Sequence, residues 1–221
     1  KNKRKKDQPF LLLYHQKAPH RNWKPEEKYL SLFDDKTFDP PANFFDDYSN
    51  RGTAAKTQEM LIAASEKQIE VAHGNGGHGR WGHDFKMLKD PYGNNTGFER
   101  ELKRFSPEQK SAWLDAYTPK NEAMISQNLE GKELALWKFN RYIKDYLRTI
   151  QSVDDGVGEV LDYLDQEGLT ENTIVVYTSD QGFYLGEHGW FDKRFMYEES
   201  LRTPILMRYP NEIPAGSKVD K

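Results

Sequence analysis

Residues 173–194 have the sequence TIVVYTSDQGFYLGEHGWFDKR. Its first part, TIVVYT, is a short and mostly apolar run of β-branched and aromatic residues, which is typical of a buried strand. Asp180 and Gln181 follow almost directly, and a glycine-rich turn then presents His188 and Lys193. Open α/β sheets bind ligands at the carboxyl ends of their strands. The stretch therefore predicts a strand of an α/β fold with a functional site just beyond it.

Other segments predict the remaining elements of such a fold. Residues 9–15, with the sequence PFLLLYH, predict a strand buried on both faces, as parallel sheets require. Between 133 and 167, apolar residues recur at steps of three and four, which predicts one long amphipathic helix that ends at Gly168. The apolar run that begins at Pro204 predicts a further strand.

The middle of the chain has a different pattern. Residues 26–130 are interrupted by prolines at 40, 41, 91, 107 and 119, and we expect an irregular region of loops and short helices that covers the sheet or the site entrance. Residues 133–210 predict, in order, a long helix, a strand, a site loop and a strand. Together these elements predict an α/β sandwich with a largely parallel sheet flanked by helices.

Composition excludes several classes of protein. The 221 residues include 32 Lys and Arg against 35 Asp and Glu, so there is no basic excess of the kind that nucleic-acid binding requires. No apolar run approaches the roughly 18 residues that span a bilayer. Cysteine is absent, which excludes disulfides, a thiolate metal site and a cysteine nucleophile within these residues.

Asp180 and Gln181 are candidate metal ligands. Carboxylate and amide oxygens are what a hard cation such as Ca²⁺ prefers, and such an ion takes ligands from several chain segments. Two ligands leave a shell of about six incomplete, so others must come from elsewhere. The alternative is that Asp180 belongs to an ordinary Asp-X-Gly turn.

Lys193, His188 and His20 are candidate anion ligands. An ammonium and an imidazole held near a cation would bind a tetrahedral oxyanion and stabilise charge developing on it. His20 follows a separate predicted strand, so it would converge on the same pocket and protonate a leaving alkoxide. The alternatives are a solvated lysine and loop or packing histidines.

Three further histidines lie five residues apart in a glycine-rich stretch. His73, His78 and His83 match no compact metal-ligand spacing, and we do not assign them to the metal site.

Two motifs resemble those of a known family. Residues 179–182 (SDQG), residues 185–189 (LGEHG) and Lys193 resemble the C-terminal signature of the formylglycine-dependent sulfatases, within the alkaline-phosphatase superfamily. Residues 17–20 (KAPH), after the first apolar run, resemble the family's second histidine motif. The segments HRNW and WFDKRFMY are most similar to the branch that hydrolyses sulfate esters on glycans, including N-acetylglucosamine-6-sulfatases.

The resemblance implies a fold and a role for each matching residue. The fold would be an alkaline-phosphatase-like sandwich, of which this chain would form the middle-to-late portion. Asp180 and Gln181 would be two of the Ca²⁺ ligands, although Gln181 stands where the family more often has asparagine or histidine. Lys193 would hold a sulfate oxygen, and His20 would bind sulfate and assist departure of the sugar oxygen. His188 would have a supporting or substrate-facing role.

A sulfated carbohydrate would be the substrate. Arg194 and the aromatic residues Trp23 and Trp190 would line a sugar-binding cleft, although aromatic residues more often serve packing. The family acts in the periplasm, outside the cell or, in animals, in lysosomes, so the resemblance implies a periplasmic or secreted protein.

The family's nucleophile motif, Cys/Ser-X-Pro-X-Arg, does not occur in these residues, and neither does its first aspartate pair. The formylglycine made from that motif would therefore lie in a preceding segment, and we expect these residues alone to be inactive. Two alternatives stay open. One is a phosphodiesterase or phosphonate hydrolase of the same superfamily, and the other is a glycan-binding relative without catalysis.

Overall fold

The fold comes from a computed structural model, which describes residues 4–62 and 81–219. Within these residues the α-helices are α1 Thr53–Thr57, α2 Phe98–Leu102, α3 Pro107–Ser126, α4 Gly131–Gln166 and α5 Glu198–Leu201. Short 3₁₀ turns span Glu27–Tyr29, Thr170–Asn172 and Glu187–Gly189. The strands are β1 Val175–Thr178, β2 Tyr184–Leu185, β3 Phe191–Asp192 and β4 Ile205–Arg208. His73 and His78 lie outside the described residues.

Helix α4 confirms the predicted long helix. It runs for 36 residues and buries one apolar face, as the spacing of three and four residues predicts. It ends where the sequence predicts, because Gly168 has a φ of 65° and the amide of Leu169 donates to the carbonyl of Leu164 at 2.8 Å. This helix is the support on which the site segments pack.

Helix α3 is longer than the short helices expected between 26 and 130. Its 20 residues begin at a complete capping box, in which the Ser106 hydroxyl accepts from the amide of Gln109 and the Gln109 side chain accepts from the amide of Ser106. Pro107 occupies the first turn, where it leaves no hydrogen bond unmade. The helix also contains Pro119, a residue that usually breaks a helix, so the sequence did not indicate one continuous helix here.

The strand pairing differs from the parallel arrangement that the sequence predicts. Strands β1 and β4 pair antiparallel, with Val175 opposite Arg208 and Thr178 opposite Ile205. Strands β2 and β3 form a separate antiparallel hairpin. Parallel pairing is therefore wrong for the strands that the described residues contain, although the predicted locations of β1 and β4 are confirmed. The predicted burial of β1 is also wrong in the described structure, because the side chains of Val176 and Tyr177 are 52% and 42% exposed.

The predicted strand at 9–15 is wrong in the described structure. These residues form no strand and are exposed; the side chain of Leu11 is 85% accessible. A strand requires an edge that completes its hydrogen bonds, and no segment of the described residues pairs with this one. Apolarity alone therefore did not specify a strand here.

The main core is aromatic and lies between α4 and the β2–β3 hairpin. Its largest buried side chains come from four separate parts of the chain, and they include Trp23, Phe44, Phe139, Tyr142, Tyr184, Trp190 and Phe191. Segment 60–62 extends the hairpin, because the amide of Ile62 donates to the carbonyl of Gly189 at 2.7 Å and the amide of Phe191 donates to that of Met60 at 3.1 Å. Segment 60–62 therefore pairs with the β3 side of the hairpin.

A buried ion network joins α3, α4 and residues 84–86. The Asp145 carboxylate accepts from the ammonium of Lys86 at 2.7 Å, from Arg148 at 2.8 Å and from the hydroxyl of Tyr117 at 2.6 Å. Burial alone would raise the pKa of Asp145, but the charges on Lys86, Arg141 and Arg148 outweigh it and lower the pKa below its ordinary value.

Candidate functional site

The loop after β1 is fixed at its base and open at its tip. The Ser179 hydroxyl donates to the carbonyl of Gln181 at 2.8 Å, and the amide of Gly182 donates to the carbonyl of Ser200 at 2.8 Å. A side chain at Gly182 has no room, because a Cβ there would overlap the backbone carbonyl of Glu199. Close approach of the two backbones thus requires glycine at this position.

Asp180 is exposed at the tip of this loop. Among residues 4–62 and 81–219, no hydrogen bond or ion pair involves its carboxylate, and the side-chain amide of the half-buried Gln181 has no hydrogen-bond partner there either. Both side chains therefore have oxygens that are not committed to the described residues. The pair fits part of a Ca²⁺ shell, since carboxylate and amide oxygens are the ligands that this ion takes.

The rest of such a shell does not come from the described residues. No group of three or more histidine, aspartate or glutamate side chains in ranges 4–62 and 81–219 has an arrangement that holds a metal. A shell of about six ligands built on Asp180 and Gln181 accordingly needs donors from elsewhere.

Lys193 follows directly after β3. Its side chain is half-buried, and its ammonium lies 5.8 Å from the centre of the Phe183 ring. Within the described part of the chain this ammonium forms no ion pair with a carboxylate. Arg194 differs, because its guanidinium contacts the buried Asp192 carboxylate through two nitrogens at 2.9 Å each. Lys193 is therefore the more available cation for an added anion.

His20 lies in an exposed turn between the first apolar run and Trp23. The amide of His20 donates to the carbonyl of Lys17 at 3.0 Å. Its Nδ1 lies 2.6 Å from the carbonyl oxygen of Arg21, and a carbonyl can only accept, so we assign the Nδ1 proton to this bond. Nε2 remains for contact with a substrate, since no described residue bonds to it.

Trp23 connects the His20 turn to the other site segments. Its ring centre lies 6.3 Å from that of Phe183, three residues after Asp180, and 6.0 Å from that of Phe191, two residues before Lys193. These contacts bring the three segments that carry the predicted site residues into one packed unit.

The predicted cleft-lining role of Trp23 and Trp190 needs correction. The two side chains are 1% and 0% exposed, so neither presents a face to a sugar. Trp190 instead stacks on Tyr48 and on Phe195, with ring centres 5.6 and 5.0 Å apart. Packing of the site segments is what both indoles provide, and Arg194 is the one predicted cleft residue that the structure leaves exposed.

His188 is buried, which does not fit the substrate-facing form of its predicted role. Its Nδ1 lies 2.7 Å from the Asp46 carboxylate, and the hydroxyl of Tyr48 donates to its backbone carbonyl. Arg51 completes the group, with a nitrogen 3.2 Å from Asp46 and 3.5 Å from Nδ1 of His188.

Asp46, Tyr48 and Arg51 were not identified from the sequence, because contacts across 137 to 142 positions leave no local pattern.

Comparisons with known proteins agree with this arrangement of motifs. The family model described as Sulfatase matches residues 1–221. The chain belongs to the sulfatase family. The α/β, alkaline-phosphatase-like fold class predicted from the sequence is therefore shown for this sulfatase chain.

Several relatives are similar over most of these residues. The chain is 45% identical over 217 residues to an N-acetylglucosamine-6-O-sulfatase of Bacteroides thetaiotaomicron. The aligned region covers 97% of the chain and 37% of that protein. It is 27% identical over 165 residues to a choline-sulfatase of Rhizobium meliloti, covering 71% of the chain and 32% of that protein. The chain thus spans less than two fifths of the length of these relatives.

A solved structure is also similar. It is described as a complex with its substrate, D-glucosamine-2-N,6-O-disulfate, and it matches with a TM-score of 0.81 and 42% identity. The match covers 98% of this sulfatase chain and 42% of the other.

None of the described helices is both long enough and apolar enough to cross a bilayer.

Proposed function

We propose that this sulfatase chain contributes part of the active site of a sulfuric ester hydrolase that acts on sulfated glycans, with N-acetylglucosamine-6-sulfate as the candidate substrate. The observation that carries the proposal is the packing of Trp23 against Phe183 and Phe191, which links the His20 turn to the segments of Asp180 and Lys193. The 45% identity to an N-acetylglucosamine-6-O-sulfatase supports the substrate.

Lys193 binds a sulfate oxygen in this proposal. Its ammonium is half-buried and free of ion pairs with the described carboxylates, so its charge is available and partly shielded from water. A fixed cation stabilises the negative charge on the transferring sulfuryl group, and such electrostatic stabilisation is often the largest contribution to catalysis.

As the imidazolium, which carries a proton on each nitrogen, His20 gives its Nε2 proton to the leaving sugar oxygen and keeps the Nδ1 proton. The bond from Nδ1 to the Arg21 carbonyl fixes the orientation of the ring and leaves Nε2 directed to other partners. Protonation matters most when the leaving alkoxide is poor, as a sugar oxygen is.

Asp180 and Gln181 would hold the Ca²⁺ ion, whose charge when bound would polarise the sulfate. No residue of this chain is assigned as the nucleophile, and the formylglycine expected for the family would supply it. The periplasmic or secreted location implied by the family likewise stays a proposal.

The test uses the full-length polypeptide that contains these residues. We expect hydrolysis of 4-nitrocatechol sulfate but not of bis(4-nitrophenyl) phosphate. Lys193→Met should lower kcat/KM by about 10²- to 10³-fold, which is the cost of losing one oxyanion contact. The exposed residue Lys110 provides the matched control, Lys110→Met, which should leave the rate unchanged. Preferential hydrolysis of the phosphodiester would overturn the proposal in favour of a phosphodiesterase.

His20 has a separate test that depends on the leaving group. His20→Ala should slow hydrolysis of N-acetylglucosamine-6-sulfate more than hydrolysis of the aryl sulfate, because a phenolate leaves without a proton. The exposed His15 provides the control, His15→Ala. Equal losses with both substrates would exclude proton donation by His20.

A further inference from the structure

We infer that His188, held by Asp46, is a positioning residue for Lys193. The inference rests on the proposed function, because it assigns His188 a role only through the sulfate contact of Lys193. The two residues lie on one short hairpin segment, with His188 in the turn and Lys193 just after β3.

The turn that contains His188 has an unusual backbone. His188 has a φ of 57°, between Gly186 at 112° and Gly189 at 70°. Such left-handed angles are uncommon for residues with a side chain, and surrounding contacts have to maintain them. The turn is thus held in place by its neighbours and not by its own preference.

Segment 46–51 supplies those contacts at two points of His188. The ring is held through Nδ1 by the Asp46 carboxylate at 2.7 Å, and the backbone carbonyl accepts from the hydroxyl of Tyr48. The aromatic rings of Trp190 and Tyr197 enclose the imidazole, with centres 5.2 and 5.3 Å away. Side chain and backbone are therefore both fixed by groups remote in sequence.

The negative charge of Asp46 supports its contact with the His188 ring. Burial would raise the pKa of Asp46, but the bonds from His188, from the Tyr48 amide and from Arg51 outweigh it and lower the pKa. Asp46 therefore stays ionised at neutral pH, opposite the imidazole. On the other side of the ring, a Glu199 oxygen lies 3.9 Å from Nε2.

Displacement of the turn would be passed on to Lys193. Only four residues separate His188 from Lys193, and they include the paired strand β3. The Gly189 carbonyl, which accepts from Ile62, fixes the start of this path. A misplacement of about 1 Å at a catalytic group can cost on the order of 10²-fold in rate.

Two variants perturb the contact in different ways. His188→Asn retains a residue that tolerates left-handed angles but removes the imidazole. Asp46→Asn leaves His188 in place and removes the charge beside it. Each should lower kcat/KM for 4-nitrocatechol sulfate by about 10- to 100-fold in the full-length enzyme, while His15→Asn changes nothing.

A double-mutant cycle with Lys193→Met distinguishes positioning from general support. If His188 acts through Lys193, the double variant should be no more than about threefold slower than Lys193→Met alone, because the two act as a unit. The reactions are followed over hours so that large losses in kcat/KM stay measurable. Thermal melts of each variant verify that it folds. Should His188→Asn not fold, the cycle of Asp46→Asn with Lys193→Met decides.

The possible results separate the two proposals. Multiplicative losses, with the double variant 10- to 100-fold below Lys193→Met, would overturn the positioning role. The same conclusion follows if Asp46→Asn and His188→Asn retain full activity while Lys193→Met loses it. Full activity of Lys193→Met would instead overturn the proposed function of Lys193 itself.

Discussion

Replacement of Asp145 by asparagine should destabilise the protein by several kcal/mol. The Asp145 carboxylate accepts three hydrogen bonds, from Lys86, Arg148 and Tyr117, at 2.6 to 2.8 Å, and its side chain is fully buried. Hydrogen bonds to charged groups contribute about 1.5 to 3 kcal/mol each, so three set an upper bound of about 4.5 to 9 kcal/mol. Asparagine keeps one acceptor oxygen but leaves Lys86 without its carboxylate partner and leaves Arg148 paired with Asp34 alone.

Breaking a buried ion pair costs about 3 to 5 kcal/mol in measured cases, and we expect Asp145→Asn to fall in this range. The assay is urea denaturation at pH 7, monitored by tryptophan fluorescence. The control is Asp162→Asn, on an exposed position of the same helix. A loss below about 1 kcal/mol, similar to the control, would refute the idea that Asp145 neutralises the buried cations.

Three further predictions concern pH, the site loop and a helix cap. Because the pKa of Asp145 is lowered in the folded state, the stability it provides is complete above the unfolded pKa of about 3.9 and is lost as the pH falls through the folded value. Urea midpoints of wild type and Asp145→Asn should therefore converge below about pH 4, and a constant gap would contradict this. Gly182→Ala forces two backbones apart, so it should lower the free energy of unfolding by about 1 to 3 kcal/mol and also lower activity. Gly158 lies in open space on α4, so Gly158→Ala should raise the free energy of unfolding by about 0.5 to 1 kcal/mol. Equal melting temperatures for the two glycine variants would exclude the overlap. Ser106→Ala removes the α3 cap and should lower the free energy of unfolding by about 1 kcal/mol in the same denaturation assay. The control Ser111→Ala, within the same helix, should lower it by less than about 0.5 kcal/mol. Equal losses for the two variants would contradict the cap.

The sequence predicted elements where one local signal dominated. Helix α4 has a sustained three- and four-residue period, so its extent and its end at Gly168 were predictable. Helix α3 was missed as a long helix, although Ser106 and Gln109 form a recognisable capping box, because Pro119 and a weak apolar pattern argued against continuity. Residues 9–15 were wrongly expected to form a strand, because strand pairing depends on a partner that no single segment reveals.

The same distinction applies to the candidate site. His20, Asp180 and Lys193 stand out in the sequence because they follow apolar runs or a glycine-rich turn, and all three keep side-chain atoms available for a ligand. An indole in a sequence does not indicate whether it faces solvent, so Trp23 was assigned to a cleft although it is buried. The contact of His188 with Asp46 spans 142 positions and has no signature at either end.

The burial of Trp23 between three segments restricts how substrate preference can be re-engineered. Any change at this indole alters the Phe183 and Phe191 contacts together, so the segments that carry His20, Asp180 and Lys193 would move together. Under the proposed function, libraries aimed at other sulfated sugars should therefore begin at outward-facing positions such as Met196, where variation leaves both that shared anchor and the pair of Arg194 with Asp192 intact.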